Sequence, residues 1–139
     1  MDFIDTNILI YANDSRDKKK QKTCVEIVSV ALRSRQGTIS TQVLSEYANV
    51  ALTKLKQPPK VIRRQIELLS TLPLIAQTPQ LIIRAVEIKE LYGLSFWDAS
   101  IVAAAESGRC DRILSEDMND GQIYCGMKMT NPLAEKRGI

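Results

Sequence analysis

The chain has 139 residues, 45% hydrophobic and 25% charged, with sparse aromatics and a formal net charge of +3. That length and balance suit one compact domain, residues 1–139, with a core of Ile, Leu, Val and Ala. No apolar run is long enough to span a bilayer, and the lack of histidine excludes Ser–His and Cys–His nucleophilic machinery and imidazole metal ligands.

Asp2-Phe3-Ile4-Asp5 reads as a short strand entering a turn, and Ile8, Leu9 and Tyr11 begin a short helix. A longer amphipathic helix runs from Asp17 to about Arg35, with Cys24, Ile27, Val28, Ala31 and Leu32 on one side. Gly37 is expected to end it as a C-cap glycine. Thr38-Ile39-Ser40 reads as a brief strand, and Thr41 as the cap of a helix through Leu55. Pro58-Pro59 breaks that helix, and Pro59 fits the first turn of the next, through about Leu72.

Leu74-Ile75-Ala76 is a third strand, and Pro79 opens a helix to Tyr92 that stops before Gly93. The helix carrying Asp98 ends at Gly108, Arg112-Ile113-Leu114 is a fourth strand, and a last strand falls near Met127-Lys128-Met129. Short strands alternating with helices imply an α/β domain with a mostly parallel sheet and helices on both faces. Cys24, Cys110 and Cys125 lack CxxC spacing and read as reduced structural thiols. With no basic leader before an apolar run, the N-terminus reads as cytoplasmic.

Asp98 is the most informative residue. In a helix starting near Phe96 it shares a stripe with Ile101, Val102 and Ala105, the positions that ordinarily face a core. A carboxylate there is costly unless paired, hydrogen-bonded or bound to a metal. Ser95-x-x-Asp98 also resembles a capping box, which alone would explain the acid. Three further carboxylates occupy similar places. Asp5 follows the first strand, Glu46 lies one turn into the helix after the second, and Asp117 follows the fourth. Each has a structural reading of its own: a cap, a helix-surface acid, an acidic turn. In a parallel sheet, however, ligands gather at the carboxyl ends of the strands, where all four can meet. Converging carboxylates repel unless some protonate or a cation joins them. Hard divalent cations such as Mg²⁺ or Mn²⁺ suit oxygen donors and support phosphoryl or phosphodiester chemistry.

At these residues the chain resembles the PIN-domain ribonucleases, in particular the VapC-like toxins of toxin–antitoxin pairs. The matching stretches are Phe3-Ile4-Asp5-Thr6-Asn7-Ile8-Leu9-Ile10-Tyr11, Ser45-Glu46, Ser95-Phe96-Trp97-Asp98-Ala99 and Leu114-Ser115-Glu116-Asp117. The resemblance implies an α/β/α sandwich in which Asp5, Glu46, Asp98 and Asp117 gather around Mg²⁺ or Mn²⁺. It implies hydrolysis of RNA by metal-activated water, with Asp5 and Asp98 as direct ligands. Glu46 would bind through water or orient the nucleophile, and Asp117 would complete the pocket. Thr6, Asn7 and Ser115 would steady the carboxylates from the outer shell, with Asp120 a less secure addition. Homodimers, and an antitoxin whose arginine competes for the same oxygens, are further implications.

The basic runs Arg16–Lys22 and Lys54–Arg64 read as solvated surface or as phosphate attraction. Trp97 is expected in the core or at a dimer interface in preference to a base-stacking platform. Two other readings compete. One is a PIN-like module that binds RNA or protein without cleaving it. The other is a haloacid-dehalogenase-like phosphatase, which its family's Asp-x-Asp disfavours, because this chain has Asp5-Thr6-Asn7.

Overall fold

Phe3 and Ile4 are both buried on strand β1 (Asp2–Ile4), which shows that this strand is covered on both faces. The computed structural model describes residues 1–134. It places β1 at the middle of a six-stranded sheet ordered β3-β2-β1-β4-β6-β5. The partners are β2 (Gly37–Ser40), β3 (Leu74–Ile75), β4 (Arg112–Leu114), β5 (Ile123–Tyr124) and β6 (Met127–Thr130). Every pairing is parallel except β5 with β6. Asp2, Phe3 and Ile4 stand opposite Arg112, Ile113 and Leu114, so the carboxyl ends of β1 and β4 are level.

Six helices connect these strands: α1 (Thr6–Ala12), α2 (Lys18–Ser34), α3 (Thr41–Thr53), α4 (Pro59–Leu69), α5 (Pro79–Tyr92) and α6 (Phe96–Ser107). Helix α2 packs on α1 and β2, while α6 packs on α5, β2 and β4. Residues 99–105 of α6 are all buried, as a helix enclosed by sheet and neighbour requires. Phe3, Ile39, Tyr47, Ile88, Val102 and Met129 fill the core between the layers. The expected mixed α/β architecture with a mostly parallel sheet is what forms.

Local chemistry explains most boundaries. Asp17, Thr78 and Ser95 each accept a hydrogen bond from an amide in the first turn of α2, α5 and α6. Pro59 occupies the first turn of α4, and Gly93 closes α5 in the left-handed region at φ +68°. Two expected caps shift. Ser40, rather than Thr41, caps α3 through the Val43 amide. Arg35, rather than Gly37, takes the left-handed position that ends α2, at φ +58°. Gly37 instead opens β2 where the chain is tight, since a methyl group there would lie 2.7 Å from Ala31 Cβ.

Three expected termini also move inward: α3 stops at Thr53, α4 at Leu69, and β3 at Ile75. The hairpin strand β5 is an addition to the expected set. It turns through Cys125 and Gly126, both at positive φ, into β6. Cys24 and Cys110 are buried and Cys125 half-buried, all as free thiols. Among the described residues no helix is long and apolar enough to cross a membrane.

Candidate active site

Asp5 ends β1 and caps α1, so one residue is fixed by two elements. Its Oδ1 accepts from the Thr6 amide at 2.7 Å, and its Oδ2 from the Ser115 hydroxyl at 2.7 Å. Ser115 is itself fully buried at the end of β4. The Ser115 hydroxyl also accepts from the Asp117 amide at 3.2 Å, which ties the turn after β4 to the end of β1.

The neighbouring side chains extend this arrangement. Thr6 Oγ1 donates to Glu46 Oε2 at 2.7 Å, linking α1 to α3. Asn7 Nδ2 donates to Asp117 Oδ1 at 2.9 Å. Asp98 enters from the first turn of α6, where its amide donates to the Ser95 hydroxyl at 3.1 Å. Ser95 therefore caps the helix, and the Asp98 carboxylate stands half-buried at the helix mouth.

Electrostatics couple these acids in part. Burial pushes the Asp5 carboxyl up to about 6; the Ser115 and Thr6 hydrogen bonds pull it down, and the charges of Asp117 and Glu46 raise it again. Burial also raises Asp98, the Ser95 hydroxyl opposes that, and Asp117 and Glu46 again add to it. Among the described residues none of the four forms a salt bridge.

The donor set is all oxygen, negatively charged and, among the described residues, without a counter-cation, which is the chemistry that Mg²⁺ or Mn²⁺ takes. The carboxylates are not drawn into a finished shell: among the described residues no three such side chains are grouped tightly enough to hold an ion.

Of the other expected residues, Asp120 lies outside this set, because its Oδ1 accepts from the Asn131 amide at 2.9 Å. Trp97 is not a core residue: it is 61% exposed, edge-to-face against Phe96 with ring centroids 5.2 Å apart. One turn before Glu46, Gln42 is an unexpected member. Its Nε2 donates to Glu46 Oε1 at 2.8 Å and approaches the Trp97 carbonyl at 3.4 Å, bridging α3 to α6. The i, i+4 spacing to Glu46 was its signal in the sequence.

Glu116, between Ser115 and Asp117, is turned away from the acids. It accepts from Tyr11 Oη at 2.8 Å and pairs with Lys20 at 3.3 Å, while Lys20 also covers the Tyr11 ring. This contact pins the turn that carries Asp117 to α1 and α2.

The chain is similar to several solved structures. A toxin–antitoxin complex from Klebsiella pneumoniae matches at 24% identity and TM-score 0.67, over 95% of this chain and 98% of that one. VapC20 of Mycobacterium tuberculosis, a sarcin–ricin loop cleaving toxin, matches at 18% and TM-score 0.66, over 84% and 92%. VapBC2 from Rickettsia felis, bound to a DNA fragment from its promoter, matches at 18% and TM-score 0.63, over 94% and 97%. No curated protein matches the chain in sequence. These likenesses are ones of fold, whereas the PIN domain family model matches residues 3–119, from β1 through the turn bearing Asp117. On that match, the chain belongs to the PIN domain family.

Proposed function

We propose that this protein is a Mg²⁺- or Mn²⁺-dependent endoribonuclease, a single PIN domain acting in the cytoplasm as the toxin of a toxin–antitoxin pair. The observation that carries the reading is the set of four carboxylates at one edge of the sheet, three of them held by neutral donors and none with a cationic partner among the described residues. Left ionised together they are mutually destabilising, and Asp5 carries a pKa near 6 as a result of its burial. A site kept at such a cost suits a divalent cation.

Asp5 and Asp98 are the proposed direct ligands, one rigid at the β1–α1 junction and the other at the mouth of α6. Bound there, Mg²⁺ or Mn²⁺ supplies polarisation of a phosphoryl oxygen and a lowered pKa for water. Glu46, which accepts from Thr6 and Gln42, would bind the ion through water or orient the nucleophile. Asn7 holds Asp117 at the exposed side of the pocket, and Ser115 keeps Asp5 and Asp117 in register with each other.

Two partners follow from the same reading. An antitoxin arginine entering the cluster would supply a positive charge that none of the described residues brings to it, in competition with the metal. The exposed apolar residues Ile83 and Val86 of α5 and the exposed Trp97 of α6 are the proposed surface for pairing with a second copy. The similar structures support the antitoxin, since one is a toxin–antitoxin complex and another a VapBC pair.

The test is cleavage of a panel of structured RNAs by antitoxin-free protein, with and without Mg²⁺ or Mn²⁺, beside Asp5→Ala and Asp98→Asn. The expected result is metal-dependent cleavage that both substitutions abolish. Cleavage without metal, or cleavage indifferent to both substitutions, would overturn the mechanism.

A further inference from the structure

Beside the carboxylates, on the side of Asn7, a cavity of ≈ 320 Å³ runs between α1 and α3. Asn7 belongs to both places: it donates to Asp117 and also lines the cavity. Ile10 and Val50 contribute apolar walls, and Asp14, Arg16 and Lys54 contribute charge.

The two cations are presented differently. Arg16 lies in the turn after α1, with a side chain 73% exposed. Its Nε donates to Asp14 Oδ1 at 2.9 Å and its Nη2 to Asp14 Oδ2 at 2.8 Å, while its own amide also donates to Oδ1. Asp14 is buried, so the guanidinium is held at a fixed place over the groove. That pairing takes two of the five N–H donors and leaves three for a ligand. Lys54 is exposed at the C-cap of α3, and no carboxylate among the described residues pairs with it.

We infer that this groove is a binding subsite for the sugar–phosphate backbone of single-stranded RNA flanking the scissile bond, with Arg16 and Lys54 each contacting a phosphate. The inference rests on the nuclease reading above and gives it a route for substrate. A polyanion approaching four carboxylates is repelled, so the attraction that brings it there must come from the flanks. Lys54, unpaired among the described residues, supplies that attraction next to the acids, and Arg16, its charge offset by Asp14, adds directed N–H donors. An acidic peptide is the competing occupant. The groove's continuity through Asn7 with a site for phosphodiester chemistry favours RNA.

The test uses a 5′-fluorescein-labelled 12-nucleotide RNA of mixed sequence, with binding followed by anisotropy against salt in the cleavage-silent Asp98→Asn chain. Lys54→Gln is expected to weaken binding severalfold and to lower the slope of log Kd against log salt by about 0.7, one phosphate contact on a single strand. Arg16→Lys keeps a charge beside Asp14 and should fold, losing affinity through the missing fork with little change in slope. Lys60→Gln with Arg63→Gln on α4 removes two cations elsewhere and should leave both quantities near those of the parent.

Equal losses from the α4 pair, or unchanged binding by Lys54→Gln and Arg16→Lys, would overturn the groove. So would weakened binding of a labelled oligoglutamate peptide with RNA binding intact. In the otherwise native chain with metal, Lys54→Gln should raise KM and leave kcat in place. If the native chain cleaves RNA and KM does not move, the groove falls while the nuclease reading stands. If the native chain neither binds nor cleaves RNA, the nuclease reading falls and takes the groove with it.

Discussion

The two ends of the parallel strands carry acids that are treated in opposite ways. At the amino ends, Asp2 receives Arg112 Nε and Nη2 at 3.1 and 2.7 Å, and Asp111 receives the Met1 ammonium at 2.6 Å. That ammonium holds the Asp111 carboxyl below the usual carboxylate range. At the carboxyl ends, among the described residues, the Asp5, Glu46 and Asp117 carboxylates accept only from amides and hydroxyls, and Asp98 forms no salt bridge. Neutral donors fix an oxygen's position without cancelling its charge. At the first edge cations neutralise the acids, whereas at the second, among the described residues, the negative charge stays unpaired.

The largest effect that would break this contrast is on activity. Asp98→Asn removes a charge from the cluster but keeps the helix cap, which runs through its backbone amide. RNA cleavage in Mg²⁺ or Mn²⁺ should fall roughly a hundredfold to a thousandfold, the several kcal/mol expected of metal-assisted charge stabilisation. Single-turnover assays read this directly, and a change of less than fivefold would remove Asp98 from the mechanism.

Stability should move the other way at Asp5. Its pKa rises from 3.8 to about 6 on folding, so between those values the native state holds the extra proton. The penalty is absent below pH 4, grows as pH rises and is complete above pH 6, at most about 3 kcal/mol from a shift of about two units. Metal-free protein should therefore become more stable from pH 7 down to about pH 4.5. Below that, protonation of acids with depressed pKa values, such as Glu106 beside Arg84, weakens it. Asp5→Asn should flatten the upper part of the curve and raise stability at pH 7. Urea titrations across pH test both statements, and a steady fall from pH 7 downward would contradict them.

Much of this edge was legible because each acid occupies a position whose neighbours announce it. Asp98 sits on a stripe that is buried in the structure at Ile101, Val102 and Ala105, and Asp5 follows two residues that alternate across a covered strand. Gly93 and Pro59 marked helix ends through backbone restrictions that no tertiary contact overrides.

What stayed hidden depends on distant chain. Gly37 looked like a cap but is required by the closeness of Ala31, which left Arg35 to adopt the left-handed turn. The β5–β6 hairpin turns on Cys125-Gly126, which lacks the Asn-Gly or Asp-Gly that usually announces such a turn. The partners of Glu116 were hidden as well, since Tyr11 and Lys20, which engage its carboxylate, are far away in sequence.

Ser115→Ala would sharpen the contrast by removing a neutral donor while leaving all four charges. Asp5 would lose its 2.7 Å hydrogen bond and the Asp117 amide its acceptor, inside a fully buried position. Losing a hydrogen bond to a buried charged group costs about 1–3 kcal/mol. Outer-shell losses of this kind typically lower metal affinity or activity about 10- to 100-fold. Isothermal titration with Mn²⁺ separates the two effects, and unaltered affinity would show that the four carboxylates need no such support.

The smallest effect belongs to the amino edge. Asp2 and Arg112 are direct neighbours across β1 and β4, and their side chains are 33% and 45% exposed. Water screens a pair of that exposure, and such pairs contribute about 1 kcal/mol or less. Asp2→Asn should therefore shift the urea midpoint only slightly and leave metal-dependent cleavage at the parental rate, since β1 separates this carboxylate from Asp5. Raising salt should shrink even the small stability change. The measurement discriminates between the two edges. If Asp2→Asn cut cleavage as deeply as Asp98→Asn, negative charge anywhere on the sheet would matter. The difference between paired and unpaired acids would then lose its functional meaning.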